Sequence, residues 1–314
     1  LFVSLSSVLQ GADALAVSNV VGSNIFNVMV VLGSSALVLP LRVESRLVRR
    51  DVPLMIAISA AVWGMASAGR VTWQAGLALL LGLVINTVWE IRTAREQPDD
   101  SGSAEPDISD EANKGGLIPA SVRLIAGISV LSIGSRVLVN GAVSAATLLG
   151  VSEAVIGLTI VSAGTSMPEL ITSLVAALRG RTDLAIGNVV GSCLLNLMLV
   201  LGAGAIAAAG SGLEVSPELI QDDLPIMLLT SLACMPIFWT KGRISRLEGG
   251  LLLGLYVLYL VDNVLPRTAM ATWADEFRLV MLCAVIPIVM IVIFTQAVFY
   301  WRDNQNKPTT KINN

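Results

Sequence analysis

Nine apolar runs, each long enough to cross a hydrocarbon core of about 30 Å, follow one another along this chain. They are Ala14–Pro40, Val52–Gly69, Thr72–Ile91, Leu117–Val139, Ser152–Leu178, Leu184–Gly210, Asp222–Thr240, Leu247–Leu265 and Phe277–Trp301. A shorter run, Leu1–Leu9, reads as the tail of a further helix, closed by Gln10-Gly11-Ala12-Asp13. Lipid offers backbone amides no water to bond, so runs of this length fold as helices. The expected fold class is an all-α polytopic membrane protein. The bulk numbers agree, with 54% apolar residues, 14% charged and a mean hydropathy of +0.77.

Several function classes fall away at once. The charges sit in loops and form no basic tract, so nucleic acid is not an expected partner. The chain has no histidine, which removes imidazole metal sites, Ser-His-Asp hydrolysis and histidine proton relays. Cys193, Cys234 and Cys283 all fall inside apolar runs at wide spacing. They are expected to be small buried thiols, with neither a disulfide framework nor a metal-binding spacing. No cofactor is expected.

The chain is duplicated internally. Asn19-Val20-Val21-Gly22-Ser23-Asn24-Ile25-Phe26-Asn27 returns as Asn188-Val189-Val190-Gly191-Ser192-Cys193-Leu194-Leu195-Asn196, an offset of 169. Leu1–Leu37 aligned with Leu170–Ile206 gives 18 identities in 37 positions without a gap, which establishes a repeat. The match resumes after a small insertion, with Asp51-Val52-Pro53-Leu54-Met55 answering Asp223-Leu224-Pro225-Ile226-Met227.

Loop charges give the direction of each copy. Arg42, Arg46, Arg49 and Arg50 mark one loop as cytoplasmic, as do Arg179 with Arg181, then Lys241, Arg243 and Arg246, and the tail with Arg302, Lys307 and Lys311. The loops between them, Gln10–Asp13, Ser67–Val71, Gly141–Val151 and Ser211–Leu219, are poor in Lys and Arg. Gln10–Asp13 and Arg179–Asp183 are equivalent in the repeat yet fall on opposite sides. Two copies of one sequence therefore cross in opposite directions, and such inverted repeats hold their substrate at mid-membrane between them. The small faces Ser18-x-x-x-Gly22 and Gly187-x-x-x-Gly191 are expected to let helices approach closely.

One acid stands out. Glu169 is the only ionisable residue inside the run Ser152–Leu178, sixteen residues after Glu153 and ten before Arg179. An intramembrane carboxylate costs several kcal/mol and marks a functional site by default. Pro168 lacks the amide that would bond the Gly164 carbonyl, so the helix is expected to break just before the acid. The plainer alternative is a kinked packing helix whose glutamate pairs with a neighbour. Asn27 and Asn196 fall near the middle of their own runs, level with Glu169, and packing alone gives no reason for two amides there.

Taken together, Gly164-Thr165-Ser166-Met167-Pro168-Glu169-Leu170, followed by Gly187-Asn188-Val189-Val190-Gly191-Ser192 with Asn196, resembles the alpha-repeats of the sodium/calcium exchanger family, a branch of the cation/calcium antiporters. The resemblance covers both repeats, and the short loop Thr93–Gly116 makes the chain similar to the prokaryotic type. It implies an antiporter exchanging calcium for sodium, with both ions and the lipid bilayer as partners and the bacterial inner membrane as location. It leaves the oligomeric state open, a monomer being one reading. By position, Glu169 matches the glutamate shared by calcium and sodium sites. Thr165 and Ser166 match oxygen donors beside it, and Ser162 a backbone-carbonyl donor. Ser23 and Ser192 match sodium ligands, and Asn27 and Asn196 the central polar pair. The departures are Cys193, where the first repeat has Asn24, and Asn196, where some members carry aspartate.

On this reading residues 1–92 form the first inverted repeat, 93–116 a cytoplasmic linker, 117–265 the second repeat of about five helices, 277–301 an extra transmembrane helix and 302–314 a cytoplasmic tail. Leu1 answers Leu170, so the counterpart of Glu169 is expected just upstream of Leu1. The ligand set offers only oxygen donors, which suits hard cations. A proton-coupled calcium antiporter remains the nearest alternative, with Glu169 as proton carrier. An enzyme would have to rest on Ser166 and Glu169 alone, and a static calcium-binding scaffold would show no counterflow.

Overall fold

The computed structural model describes residues 8, 13–96, 117–148, 162–208, 210, 212–239, 242–267, 271–285, 287, 289, 291 and 295. Several expectations lie outside these residues: the helix tail at Leu1–Leu9 apart from Val8, nearly all of the 93–116 linker, the opening of the Ser152–Leu178 run, most of Phe277–Trp301 and the tail 302–314.

The chain runs through α1 (Asp13–Phe26), a π-helical turn (Asn27–Leu32), α2 (Gly33–Val38), β1 (Leu41–Arg42), a second π turn (Leu47–Asp51), α3 (Val52–Ala66), β2 (Arg70–Val71) and α4 (Trp73–Glu96). After the linker come α5 (Leu117–Leu148), α6 (Ser162–Thr165), α7 (Met167–Leu178), α8 (Thr182–Leu195), a π turn (Asn196–Val200) and α9 (Leu201–Ala207). Then follow β3 (Leu213–Glu214), a π turn (Leu219–Asp223), α10 (Leu224–Trp239), β4 (Arg243–Ile244), α11 (Arg246–Val264) and α12 (Ala274–Val280). Among the described residues, five stretches are long and apolar enough to cross a membrane: Asp13–Val38, Trp73–Thr93, Thr182–Ala207, Leu219–Trp239 and Arg246–Val264. The run expected over Leu117–Val139 is helical as far as Leu148, a 32-residue helix about 48 Å long at 1.5 Å per residue.

The chain divides into two compact units, 1–79 with 169–314, and 80–168. In the second, α5 packs on α6. The first holds both copies of the duplicated motif, and its contacts obey the repeat. Strand β1 pairs antiparallel with β4, and β2 with β3, so each two-stranded ribbon joins one half of the chain to the other. The Val43 amide donates to the Gly242 carbonyl at 2.9 Å, and the equivalent Val215 amide to Gly69 at 3.0 Å. Both acceptor glycines need a positive φ, 60° and 80°, which only glycine adopts without strain. Ser59 and Ser231, counterparts at the 172-residue offset of the second match, share a hydrogen bond of 3.3 Å between α3 and α10. A contact between counterparts lies on the axis relating the copies.

The ribbons also confirm that the copies run in opposite directions. Pro40, Arg42, Gly180, Thr182 and Arg243 line one cleft, so α8 starts at the end of the molecule that carries the arginine-rich loops. Helix α1 packs instead against β3, the ribbon at the other end. The core between them is apolar and drawn from both halves: Val17, Val21 and Ile25 of α1 meet Leu197, Leu201, Leu224 and Met227. By contrast Leu81, Ile85 and Trp89 of α4 and Val257 of α11 lie exposed, as a lipid-facing surface requires.

Close helix approach is present, but not at the second of the two expected faces. A Cβ on Gly187 or Gly191 would meet nothing within 4 Å. The tight crossings are Gly249 against Gly33, where an added Cβ at 249 would lie 2.6 Å from the Gly33 carbonyl, and Gly76 against Gly202, at 2.7 Å. Gly33 and Gly202 are repeat counterparts, so this is one crossing made twice. Two of the π turns have a plain cause. Pro53 and Pro225 follow them and cannot donate to the previous turn, so the amides of Val52 and Leu224 reach one residue further back, to Leu47 and Leu219.

Ser245 caps α11 with a full capping box: its hydroxyl accepts from the Glu248 amide, and the Glu248 carboxylate accepts from the Ser245 amide at 2.7 Å. Ser245→Ala is expected to destabilise the protein by about 1–2 kcal/mol, read as a lowered thermal midpoint in detergent. An unchanged midpoint would mean that this end of α11 is held by other contacts.

Cys193 and Cys234 are buried as expected, but Cys283 is exposed. It follows α12, whose neighbour Met281 supplies the buried contact, so the thiol turns away from the core. Arg278 ties α12 to the rest of its unit through ion pairs to Asp222 and Asp262, each at 3.3 Å.

Candidate functional site

The helix break before Glu169 is present. Helix α6 ends at Thr165, the Ser166 amide donates to the Ala163 carbonyl at 3.1 Å, and α7 begins at Met167. Glu169 thus sits in the first turn of α7, where the helix dipole favours negative charge. Its backbone is clamped from the side. Asn188 of α8 directs Nδ2 at the Glu169 carbonyl (3.3 Å), the Thr172 hydroxyl (3.0 Å) and the Ser173 hydroxyl (2.8 Å). Thr172 donates to the same carbonyl at 3.1 Å. The side chain is different: Oε2 of Glu169 is buried and has no hydrogen-bond partner.

On α1 and α8 the motif residues fall four apart, Ser23 with Asn27 and Ser192 with Asn196, so each pair shares a helix face. Both asparagines open a π turn. Such wide turns recur at functional sites. Ser23 is buried, Ser192 and Asn196 are half-buried, and Asn27 is 0% exposed. Across the helix crossing, Asn196 Nδ2 donates to Asn24 Oδ1 at 3.4 Å, and Asn24 Nδ2 donates to the Met227 sulfur at 3.7 Å. The Cys193 thiol reaches the Asn24 carbonyl at 3.9 Å, again a contact between counterparts. It also neighbours Asn27 and lies within electrostatic reach of Glu169. Neither polar atom of the Asn27 amide makes a well-aligned hydrogen bond.

Glu169, Asn27, Asn196, Ser23 and Ser192 therefore all belong to the unit formed by 1–79 and 169–314. Ser162, Thr165 and Ser166 belong to 80–168, where Ser166 is 2% exposed and Thr165 half-buried. Two neighbours escape sequence reasoning. Asn188 lies inside the duplicated motif, which is its only signal, and holds the turn carrying Glu169. Asn24 stands out in the sequence only as a mismatch with Cys193.

Buried polar groups are satisfied almost everywhere in folded proteins, so an orphaned carboxylate oxygen and an amide with no well-aligned hydrogen bond need an explanation. Among the described residues no three His, Cys, Asp or Glu side chains gather as a soft or transition-metal site. The candidate residues instead offer one carboxylate with amides and hydroxyls, a donor set that suits a hard cation.

Comparison with known proteins places the chain in a family. A family profile described as "Sodium/calcium exchanger protein" matches residues 1–92 and 120–264. A putative antiporter, CaxA, of Alkalimonas amylolytica is 34% identical over 82% of this chain and 81% of its own. The inner membrane protein YrbG of Escherichia coli is 32% identical over 84% and 82%. A sodium-soaked structure of the sodium-calcium exchanger NCX_Mj superposes with a TM-score of 0.66 at 28% identity, covering 82% of this chain and 80% of that one.

Proposed function

Because the chain belongs to the sodium/calcium exchanger family, as a multi-pass membrane antiporter rather than an enzyme, we propose that it exchanges calcium for sodium at a site between its two inverted repeats. Glu169 supplies the charge. Asn27 and Asn196 supply amide oxygens, and Ser23 and Ser192 hydroxyls. The observation that carries this is the pair Glu169 Oε2 and the Asn27 amide, both buried with no well-aligned hydrogen bond. A cation bonding Glu169 Oε2 and Asn27 Oδ1 would satisfy both oxygens. Calcium and sodium draw on the same oxygens, so one load excludes the other and transport proceeds as exchange. The membrane we assign is the bacterial inner membrane, by likeness to YrbG.

Reconstituted vesicles test the coupling. Calcium uptake is expected under an outward sodium gradient and not under a pH gradient alone. Uptake driven by the pH gradient alone would replace sodium with the proton as the coupling ion.

A further inference from the structure

The two central asparagines are repeat counterparts, yet they are held differently. Asn196 gives its Nδ2 to Asn24 Oδ1 at 3.4 Å. The NH₂ and the carbonyl oxygen of a carboxamide point to opposite sides of its Cγ, so committing the NH₂ turns Oδ1 away from Asn24. A cation takes only the oxygen, and an NH₂ facing it would repel it. Asn24 is itself fixed, 3% exposed and donating to the Met227 sulfur. In the other repeat the position answering Asn24 is Cys193, at the same 169-residue offset as Asn196 from Asn27. A thiol is a weak donor and a weak acceptor. The Asn27 amide beside it touches that thiol but makes no well-aligned hydrogen bond at either atom, although it is fully buried.

Building on the proposed exchange site, we infer that Asn24 is a positioning residue that orients Asn196 for cation binding, and that the Cys193 thiol restrains Asn27 more weakly. The site is thus preorganised more firmly on one side. Asn27 must select its oxygen-inward rotamer when a cation arrives, which lowers the affinity for the ion.

Three variants separate positioning from mere packing. Asn24→Ala frees Asn196 and is expected to weaken calcium binding about 5–10-fold, the loss of one orienting hydrogen bond. Cys193→Asn gives Asn27 a stronger partner than the thiol and is expected to tighten binding about 3–10-fold, the gain of one such bond. The exchange variant Asn24→Cys with Cys193→Asn moves the stronger restraint from one repeat to the other and is expected to return affinity to within about 3-fold of wild type. The measurement is equilibrium binding of radiolabelled calcium to purified protein in detergent, which does not depend on the coupling ion, with thermal midpoints recorded to exclude unfolding. A Cys193→Asn protein that keeps its midpoint and binds calcium no more tightly overturns the inference while leaving the exchange site in place. A double variant that binds as weakly as Asn24→Ala overturns it equally. Wild-type protein that binds no calcium overturns the underlying reading instead.

Discussion

Glu169→Gln is expected to abolish calcium exchange, at least about 100-fold below wild type, in a protein that still inserts and purifies as a folded species. The substitution keeps volume and one carbonyl oxygen but removes the only ionised ligand found among the candidate residues of this chain. Losing a charged ligand in a dehydrated site costs about 3 kcal/mol or more, which sets that factor. The Asn188 clamp acts on the backbone carbonyl of Glu169 rather than on its carboxylate, so the turn survives the change. Removing an unpaired buried charge also relieves a desolvation penalty, and the variant should melt no earlier than wild type. The check is sodium-driven calcium flux beside a thermal melt. Flux at the wild-type rate would remove Glu169 from the site.

The largest effect on stability is expected at the doubled glycine crossing. Gly249→Ala places a methyl 2.6 Å from the Gly33 carbonyl and 2.9 Å from the Cβ of Ala36. Backbone cannot give way as a side chain can, so helices α2 and α11 must separate, at about 1–3 kcal/mol. The counterpart change Gly76→Ala meets the Gly202 carbonyl at 2.7 Å and should behave alike. Gly254→Ala on the same helix as Gly249 meets nothing within 4 Å and serves as the control. It should be neutral or slightly stabilising, since alanine favours helix. Equal midpoints for Gly249→Ala and Gly254→Ala would show that helices α2 and α11 can part at no cost.

Much of this architecture is legible in the amino-acid sequence. Duplication leaves identities, and opposite insertion leaves opposite loop charges, so inverted repeats follow from Asn19–Asn27, Asn188–Asn196 and the arginines of their loops. The break at Glu169 is legible because proline has no amide. Less accessible is whatever depends on which helices meet. Gly187 and Gly191 have the spacing of a close-packed face but point to open space, whereas the real crossings join glycines from different halves, Gly33 with Gly249 and Gly76 with Gly202. Orientation of the Asn196 amide depends on Asn24 across a helix crossing, and no local pattern encodes that. The turns before Pro53 and Pro225 carry a local signal, the proline itself; those at Asn27 and Asn196 carry only their repetition.

The two small ribbons set a timetable for how the molecule is finished. Strand β1 must wait for β4, about 200 residues later, while β2 needs β3, about 140 residues on. At a synthesis rate of about 5–20 residues per second, the first strand stands with an open edge for about 10–40 s. The ribbon of β2 and β3, which sets Arg70 opposite Glu214, can close before α10, β4 and α11 are made. The other, with Arg42 opposite Arg243, closes last and against like charge. One face of the nascent protein is therefore sealed well before the other, and a ribosome that stalls between β3 and β4 leaves a chain latched at a single end.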